Sequence, residues 1–502
     1  MAGVSPCAFL IFPNTLFADT TALKNVDLVF IVEEPLFFGG KEASKGRQYS
    51  IAKMKLVYMR ATMKTYEKKL RKNGFNTTYV DYDDVKGYEW LAKSSTVRTY
   101  EIIDFELIDK LQAYPHLDSL QMTETLLFPL PLAKICSYFT DLENDRQPKR
   151  YSHSHFYKWA KQELNILTHV KSHDTQNRQP LPRNHILRHH TPDFFCQKNM
   201  QIVEEAKGYI ESHAAFANNV GHYRHLSMYP LDHERAMQLF KDFIKNRLDC
   251  FGPYQDAIDK DEPILYHSFC STVLNNGLLA SDWVIKQLKN GSENLRIESL
   301  EAYVRQLCWR MWEVGIYLCF HDELRNSNHF SSTKKLNWKV WRGHKHMETG
   351  VHPIDNEVRK AIEYGYAAHI PRLMIFLNVF VMLQIRPDDV VQWFMEIVSM
   401  DATIYFMWPI VTTMGGYNLR FMQKPYISTS AYLLKMTNYP KGEWCETFTA
   451  LFYDFLARNK SKLKGSCSIY LRNLAHYERK GRGEQARSKR LAQAFRKRVT
   501  EK

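Results

Sequence analysis

YGYAAHIPRLMIFLNVFVM, residues 364–382, decides how the rest of the chain is read. Apolar residues recur at Ile370, Leu373, Met374, Leu377 and Val381, which is helical spacing. His369 and Arg372 stand three apart and so face the same way on that helix. Both are embedded in hydrophobic sequence, and a buried cation needs an anion or a hydrogen-bonding partner. A phosphate would serve, and so would a buried Asp; the residues alone leave both open.

Around this stretch, residues 216–470 read mostly as helix. After a helix at 231–246 comes FGPYQDAI, 251–258, and then LYHSFCSTVLNNGLL, 265–279. In the second run Ser268, Ser271 and Thr272 open a predicted helix that carries Leu274, Leu278 and Leu279. Hydroxyls and free backbone N–H groups at a helix start suit an anion such as pyrophosphate. They suit ordinary capping as well. In LEAYVRQLCWRMWEVGIYLC, 300–319, Arg305, Trp309 and Trp312 share faces, as do Gln306 and Arg310. Asp401 sits amid hydrophobes, and pairing with Arg372 would make it either a ligand anchor or a plain core ion pair.

Upstream, residues 1–130 alternate strand and helix. Strands are expected at 9–12, 26–32 and 77–82, with further ones at 100–105 and 120–123. Helices are expected at 51–70 and 107–111. That order predicts a small parallel sheet with helices on its faces. The first strand ends in Pro13-Asn14, and neither GxGxxG nor a Walker loop follows it. Residues 131–215 form a proline-broken connector with one amphipathic helix at 151–170. His189, His190 and Cys196 lack a second ligand pair at zinc-like spacing, so no metal site is predicted. Lys171, Arg178, Arg183 and Arg188 are candidates to meet a phosphate backbone. At the C-terminus, Leu491, Phe495 and Val499 lie four apart on a helix whose other face is basic, which either docks or frays.

The 502 residues are 45% hydrophobic and 13% aromatic, enough for two or three well-packed domains. Sixty-eight basic against 54 acidic residues give a net charge of +14, which points to a polyanionic partner such as nucleic acid. Much of that excess is local, since 479–502 hold ten Lys and Arg against two Glu. Nine scattered cysteines with no CxxC exclude a disulfide scaffold and a zinc ribbon. An intracellular, reducing compartment (cytoplasm, nucleoid or nucleus) is expected, with no signal peptide and no membrane span.

These motifs, in this order, resemble the photolyase/cryptochrome superfamily. The similarity is greatest to the prokaryotic branch of (6-4) photolyases and cryptochromes that normally carries a four-iron four-sulfur cluster. Its most specific carriers are 247–279, 301–317, 364–378 and 414–433. The resemblance implies an α/β Rossmann-like antenna domain over 1–130 and a connector over 131–215. A large all-α FAD-binding catalytic domain over 216–470 and a basic tail over 471–502 complete the chain. It implies flavin contacts at His267, Ser268, Ser271, Leu274, Asn275, Gln306, Arg310, His369, Arg372, Asp401 and Lys424. For catalysis it implies His369, with Trp309 in the cofactor pocket or lesion cavity and Trp393 as an electron relay; Trp341 and Trp408 are further relay candidates. A lumazine-type antenna chromophore near Glu34, or an empty antenna site, is the expectation for 1–130. UV-damaged DNA is the implied partner, and the protein is expected to be a monomer.

Departures from the pattern carry consequences. Ala368 stands where the branch has the first of two adjacent histidines, so proton donation to a (6-4) lesion is put in doubt. Ile404 and Ile410 replace a carboxylate and an asparagine. Of the cluster cysteines only Cys445 resembles a survivor, and one thiol cannot hold a cluster. No iron–sulfur cluster is expected, with Trp444 and Phe448 packing in its place. The implied activity is repair of a cyclobutane or (6-4) dimer by electron transfer from reduced flavin to a flipped-out lesion. A flavin-binding photoreceptor without repair is the alternative.

Overall fold

The computed structural model describes residues 6–39, 49–114, 117, 120–144, 151–182, 193–194, 197–291, 295–344, 347–422, 424–464 and 468–501. Arg183, Arg188, His189, His190 and Cys196 lie outside them.

Five strands form one parallel sheet in the order β3-β2-β1-β4-β5. They are β1 Cys7–Ile11, β2 Leu28–Val32, β3 Thr77–Val80, β4 Thr96–Tyr100 and β5 Gln121–Thr123. Alternate residues of β1 point to opposite faces, and both faces are covered. Phe9 and Ile11 join the main core, while Ala8, Leu10 and the following Phe12 pack with Val80, Tyr88, Val97 and Leu107. A strand buried on both sides reads as a continuous apolar run, which is what CAFLI and LVFIV are.

The sequence expectation placed the fourth strand at 100–105. It lies instead at Thr96–Tyr100, and the helix Phe105–Gln112 starts where that strand was to end. The Asp104 carboxylate accepts the Glu106 N–H at 3.0 Å and caps that helix. The amphipathic helix read over 151–170 is shorter, His153–Glu163.

Behind the sheet the chain is predominantly helical. Its spine is the helix Ile297–Asn326, 30 residues and about 45 Å long. Gly315 lets that spine approach the helix Leu132–Asn144: a Cβ there would lie 2.3 Å from the Phe139 ring. The decisive stretch forms a helix from His369 to Met382 whose middle, Pro371–Leu377, is a π-helical turn.

The helix Lys53–Lys72 ties the two parts together. Its Tyr58 hydroxyl donates to Pro230 O at 3.0 Å, and Lys55 Nζ donates to Ala402 O at 2.6 Å. The basic C-terminal helix, Arg482–Val499, docks. Phe495 and Val499 are buried, and Trp341 Nε1 donates to Val499 O at 2.9 Å. Among the described residues no helix is long and apolar enough to cross a membrane.

Candidate functional site

The spine presents one stripe of side chains inward. Tyr303, Gln306, Arg310 and Glu313 follow one another at intervals of three or four residues, so they stack along one face. Opposite stand the segment 267–275, the start of the His369 helix, and the chain around Asp401. Between them lies a cavity of about 200 Å³. Every flavin contact expected from the sequence lines it, with the exception of Lys424.

Arg372 is its electrostatic anchor. Nη2 donates to both Asp401 oxygens at 2.8 Å, and Nε donates to Ala367 O at 2.7 Å. The guanidinium also lies over the Tyr366 ring, 5.5 Å from its centroid. Asp401 is therefore the partner that a cation in this apolar helix requires. Its backbone is held in turn, because Asn275 Nδ2 donates to Asp401 O at 2.7 Å. The other end of that amide, Asn275 Oδ1, accepts from Arg310 Nη1. Arg310 Nη2 is buried and makes no hydrogen bond, and the guanidinium faces the Phe406 ring at 4.9 Å.

The helix expected to open at the hydroxyls is a single short turn, Ser271–Asn275. Before it the backbone is wound tightly: Leu265 and Phe269 have φ of 50° and 62°, which non-glycine residues rarely adopt. This bend turns His267 inward. Its ring nitrogens face Ile264 O at 3.1 Å and Gln255 O at 3.2 Å. Burial pushes the imidazole down to about 4, so it is neutral at physiological pH. His369 is enclosed by protein but keeps part of its ring open to the cavity. Burial, with His267 and Arg372 close by, pushes it down to about 3.

Next to the cavity runs a groove of about 1030 Å³. The two share one wall of side chains: Gln255, Asp256, Gln306, Trp309, His369 and Leu373. Trp309 stacks face to face on His153, with centroids 3.6 Å apart and an interplanar angle of 2°. Lys158, Lys171, Arg178 and Lys424 are exposed along this groove. Lys424 belongs here, 6.0 Å from the Tyr470 ring, and not to the cavity.

Two further residues singled out in the sequence lie away from the cavity. Trp393 does not line the cavity; it is fully buried among Trp341, Phe376 and Phe380, and its Nε1 donates to Trp341 O. Glu34 is consumed by the fold: its carboxylate caps the helix Pro35–Phe38, pairs with Lys110 at 2.7 Å and accepts from Tyr88. A smaller cavity, about 70 Å³, does lie between the end of the sheet and the helical body. Pro13, Asn14, Phe37, Lys55, Asp104 and Tyr405 are among its walls. The sequence reading also missed Tyr303, Gln255 and Asp256 as cavity residues; the 3–4 residue stripe 303–306–310 was the signal for the first. Cys445 is buried on the helix Trp444–Arg458, where Trp444 and Phe448 meet edge to face. Among the described residues no three His, Cys, Asp or Glu gather as a metal ion would need.

Comparison with known proteins agrees with this architecture. The family model described as deoxyribodipyrimidine photo-lyase-related protein matches residues 9–227. The (6-4) photolyase of Agrobacterium fabrum is 32% identical over 314 residues, which is 58% of this chain and 58% of that protein. The chain thus spans little more than half of that relative. An uncharacterized protein of Acanthamoeba polyphaga mimivirus is 40% identical over 101 residues, 20% of this chain and 81% of that one. In fold, the class III photolyase of Agrobacterium tumefaciens aligns over 99% of both chains with a TM-score of 0.55 at 14% identity. A Synechocystis cryptochrome aligns over 97% of this chain and 95% of its own, at 0.52 and 12%. A Rossmann-like sheet followed by a helical body is the fold that this chain shares with those photolyase and cryptochrome structures, and residues 9–227 carry the match to the photo-lyase-related family model.

Proposed function

We propose that this protein repairs pyrimidine dimers in DNA, using light and a bound FAD. The observation that carries the reading is convergence. Residues from four separated stretches, 267–275, 306–310, 369–372 and 401, line one cavity that adjoins a groove with exposed cations. Their chemistry fits a flavin nucleotide. Arg310 holds a spare buried donor, Ser268 and Ser271 offer hydroxyls, and Phe406 and Tyr366 offer ring faces. FAD bound there would supply, in its reduced form and on excitation, the electron that splits a dimer.

The chain's own residues would bind, orient and exclude water. Asn275 and the Arg372–Asp401 pair fix the cavity floor, so Arg310 is preorganised for an incoming acceptor. Lys158, Lys171, Arg178 and Lys424 would hold phosphates and set the register of the DNA strand. The Trp309–His153 stack forms a flat wall, the surface on which an extruded base packs.

His369 decides between lesions. With its imidazole held near 3, it carries no ionisable proton to give at neutral pH, and its neighbour is Ala368. A cyclobutane dimer opens without such an acid, whereas a (6-4) lesion needs one. Cyclobutane dimers are therefore the proposed substrate. That His369 has no ionisable proton to give is the observation that favours the second reading, a flavin photoreceptor.

The test is an absorption spectrum of purified protein, followed by illumination with a reductant and oligonucleotides bearing either lesion. Flavin bands near ~370 and ~450 nm and light-dependent loss of cyclobutane dimers are expected. Loss of (6-4) lesions alone would reverse the substrate assignment. Flavin without repair of either would favour the photoreceptor.

A further inference from the structure

Glu313 is the one acidic side chain on the inward stripe of the spine. It follows Arg310 by three residues and Gln306 by seven, and all three line the cavity. It is 6% exposed. Its electrostatic neighbours are the Arg310 and Arg372 guanidiniums, yet it forms no ion pair with either among the described residues. Arg310 meanwhile leaves Nη2 buried and without a partner. A buried carboxyl and a buried guanidinium, three residues apart and unpaired, are costly unless a third group completes them. The shape they share is that of a ligand site.

We propose that Glu313 binds the flavin as a neutral carboxylic acid, donating its Oε–H to the ligand, so that FAD affinity depends on that proton. The inference rests on the flavin reading of the cavity.

Burial pushes the Glu313 carboxyl up to about 8, against the pull of both guanidiniums. The other groups facing the cavity stay fixed over the alkaline range. Arg372 is tied to Asp401. His267 and His369, at about 4 and about 3, remain neutral. Asp256, pushed up to about 6, is already ionised above neutrality. Tyr303, Tyr366 and Tyr405 are raised by burial and remain protonated. Lys55, lowered to about 8 by burial in the neighbouring cavity, is the competing titration, and the variant below separates it.

Linkage gives the sign. A ligand that requires the protonated carboxyl binds at full strength below the carboxyl's own pKa, and more weakly above it. The experiment is a titration of flavin-free full-length protein with FAD from about pH 6.5 to about 9.5, read by quenching of flavin fluorescence. Wild type should hold a constant Kd up to about pH 7.5, then weaken toward roughly tenfold per pH unit. Glu313→Gln keeps a donor but cannot ionise, so its Kd should be flat and within about threefold of the neutral wild-type value. Calorimetry of wild type in two buffers of different ionisation enthalpy, above pH 8 or so, should show proton uptake on binding, and Glu313→Gln none. That wild-type measurement stands even if the variant folds poorly. A flat wild-type profile, no proton uptake, or an alkaline loss retained in Glu313→Gln would each overturn the inference. Absence of FAD binding at every pH would overturn the flavin reading and this inference with it.

Discussion

Arg60 and Arg310 are both buried guanidiniums, and the fold treats them in opposite ways. Arg60, behind the sheet, is saturated. It bonds Glu33 and Asp81 at 2.6 Å each, Glu205 at 2.6 Å, and lies 3.6 Å over the Tyr209 ring. Arg310 has one amide partner, a free Nη2 and two aromatic faces. Burial lowers its affinity for the proton, whereas the carboxylates around Arg60 raise that group's. A charge with every bond satisfied holds the scaffold. A charge left with capacity to spare marks where something else is to bind.

The contrast can be broken by mutation, and the largest effect should come from a residue that belongs to both classes. Arg372 is paired like a scaffold residue and lines the cavity like a site residue. Arg372→Ala strands Asp401 and should cost about 3–5 kcal/mol in urea unfolding. It should also abolish FAD retention through gel filtration. Next, Arg60→Ala should lose about 3 kcal/mol or more, because three carboxylates are left facing one another. Its FAD affinity, measured by fluorescence titration, should equal that of wild type. An Arg60 variant that loses FAD while staying folded would erase the distinction between the two arginines. Arg310→Met should do the reverse, weakening FAD binding by about 2 kcal/mol while leaving the unfolding midpoint unchanged or raised.

A pH titration probes the same cavity more gently. His267 and His369 fall to about 4 and about 3 in the folded chain from an ordinary 6.5. Below about pH 6.5 the unfolded chain binds more protons than the folded one, so stability rises with pH through that window and is lost on acidification. The loss approaches about 1.4 kcal/mol per pH unit for each histidine. His369→Asn should reduce that slope in thermal melts between about pH 4 and about pH 6.5. The smallest effect is expected from Lys424→Ala. As an exposed rim cation it should weaken binding to any DNA sequence alike and lower the log-log salt slope by about 1.

How much of this was legible beforehand depends on whether a residue's role is local. The resemblance carried by short motifs singled out 267–275, 306–310, 369–372 and 401, and the fold brings these stretches to one cavity. The packing of Trp393 was not legible. An aromatic on a buried helix reads the same whether it faces a cofactor or Phe376 and Phe380. The bonding of Glu34 was not legible for a related reason, since its partners Lys110 and Tyr88 are more than fifty residues away. The fourth strand was displaced because Tyr100 and Ile103 are both buried, and hydrophobicity does not say which of them hydrogen-bonds in the sheet. Glu313 is visible in the sequence only as a carboxylate within an apolar helical run. Its isolation in space is not, because that depends on what the facing elements withhold.

The single wall between cavity and groove has a consequence for communication. Six side chains form both surfaces, among them Trp309 and His369. An occupant of the groove would therefore be a lid on the cavity, removing water from the open side of that partition. Dehydration lowers the local dielectric and strengthens every charge interaction behind the wall. Arrival of a molecule in one compartment would be felt in the other as a change of field, with no movement of the backbone required.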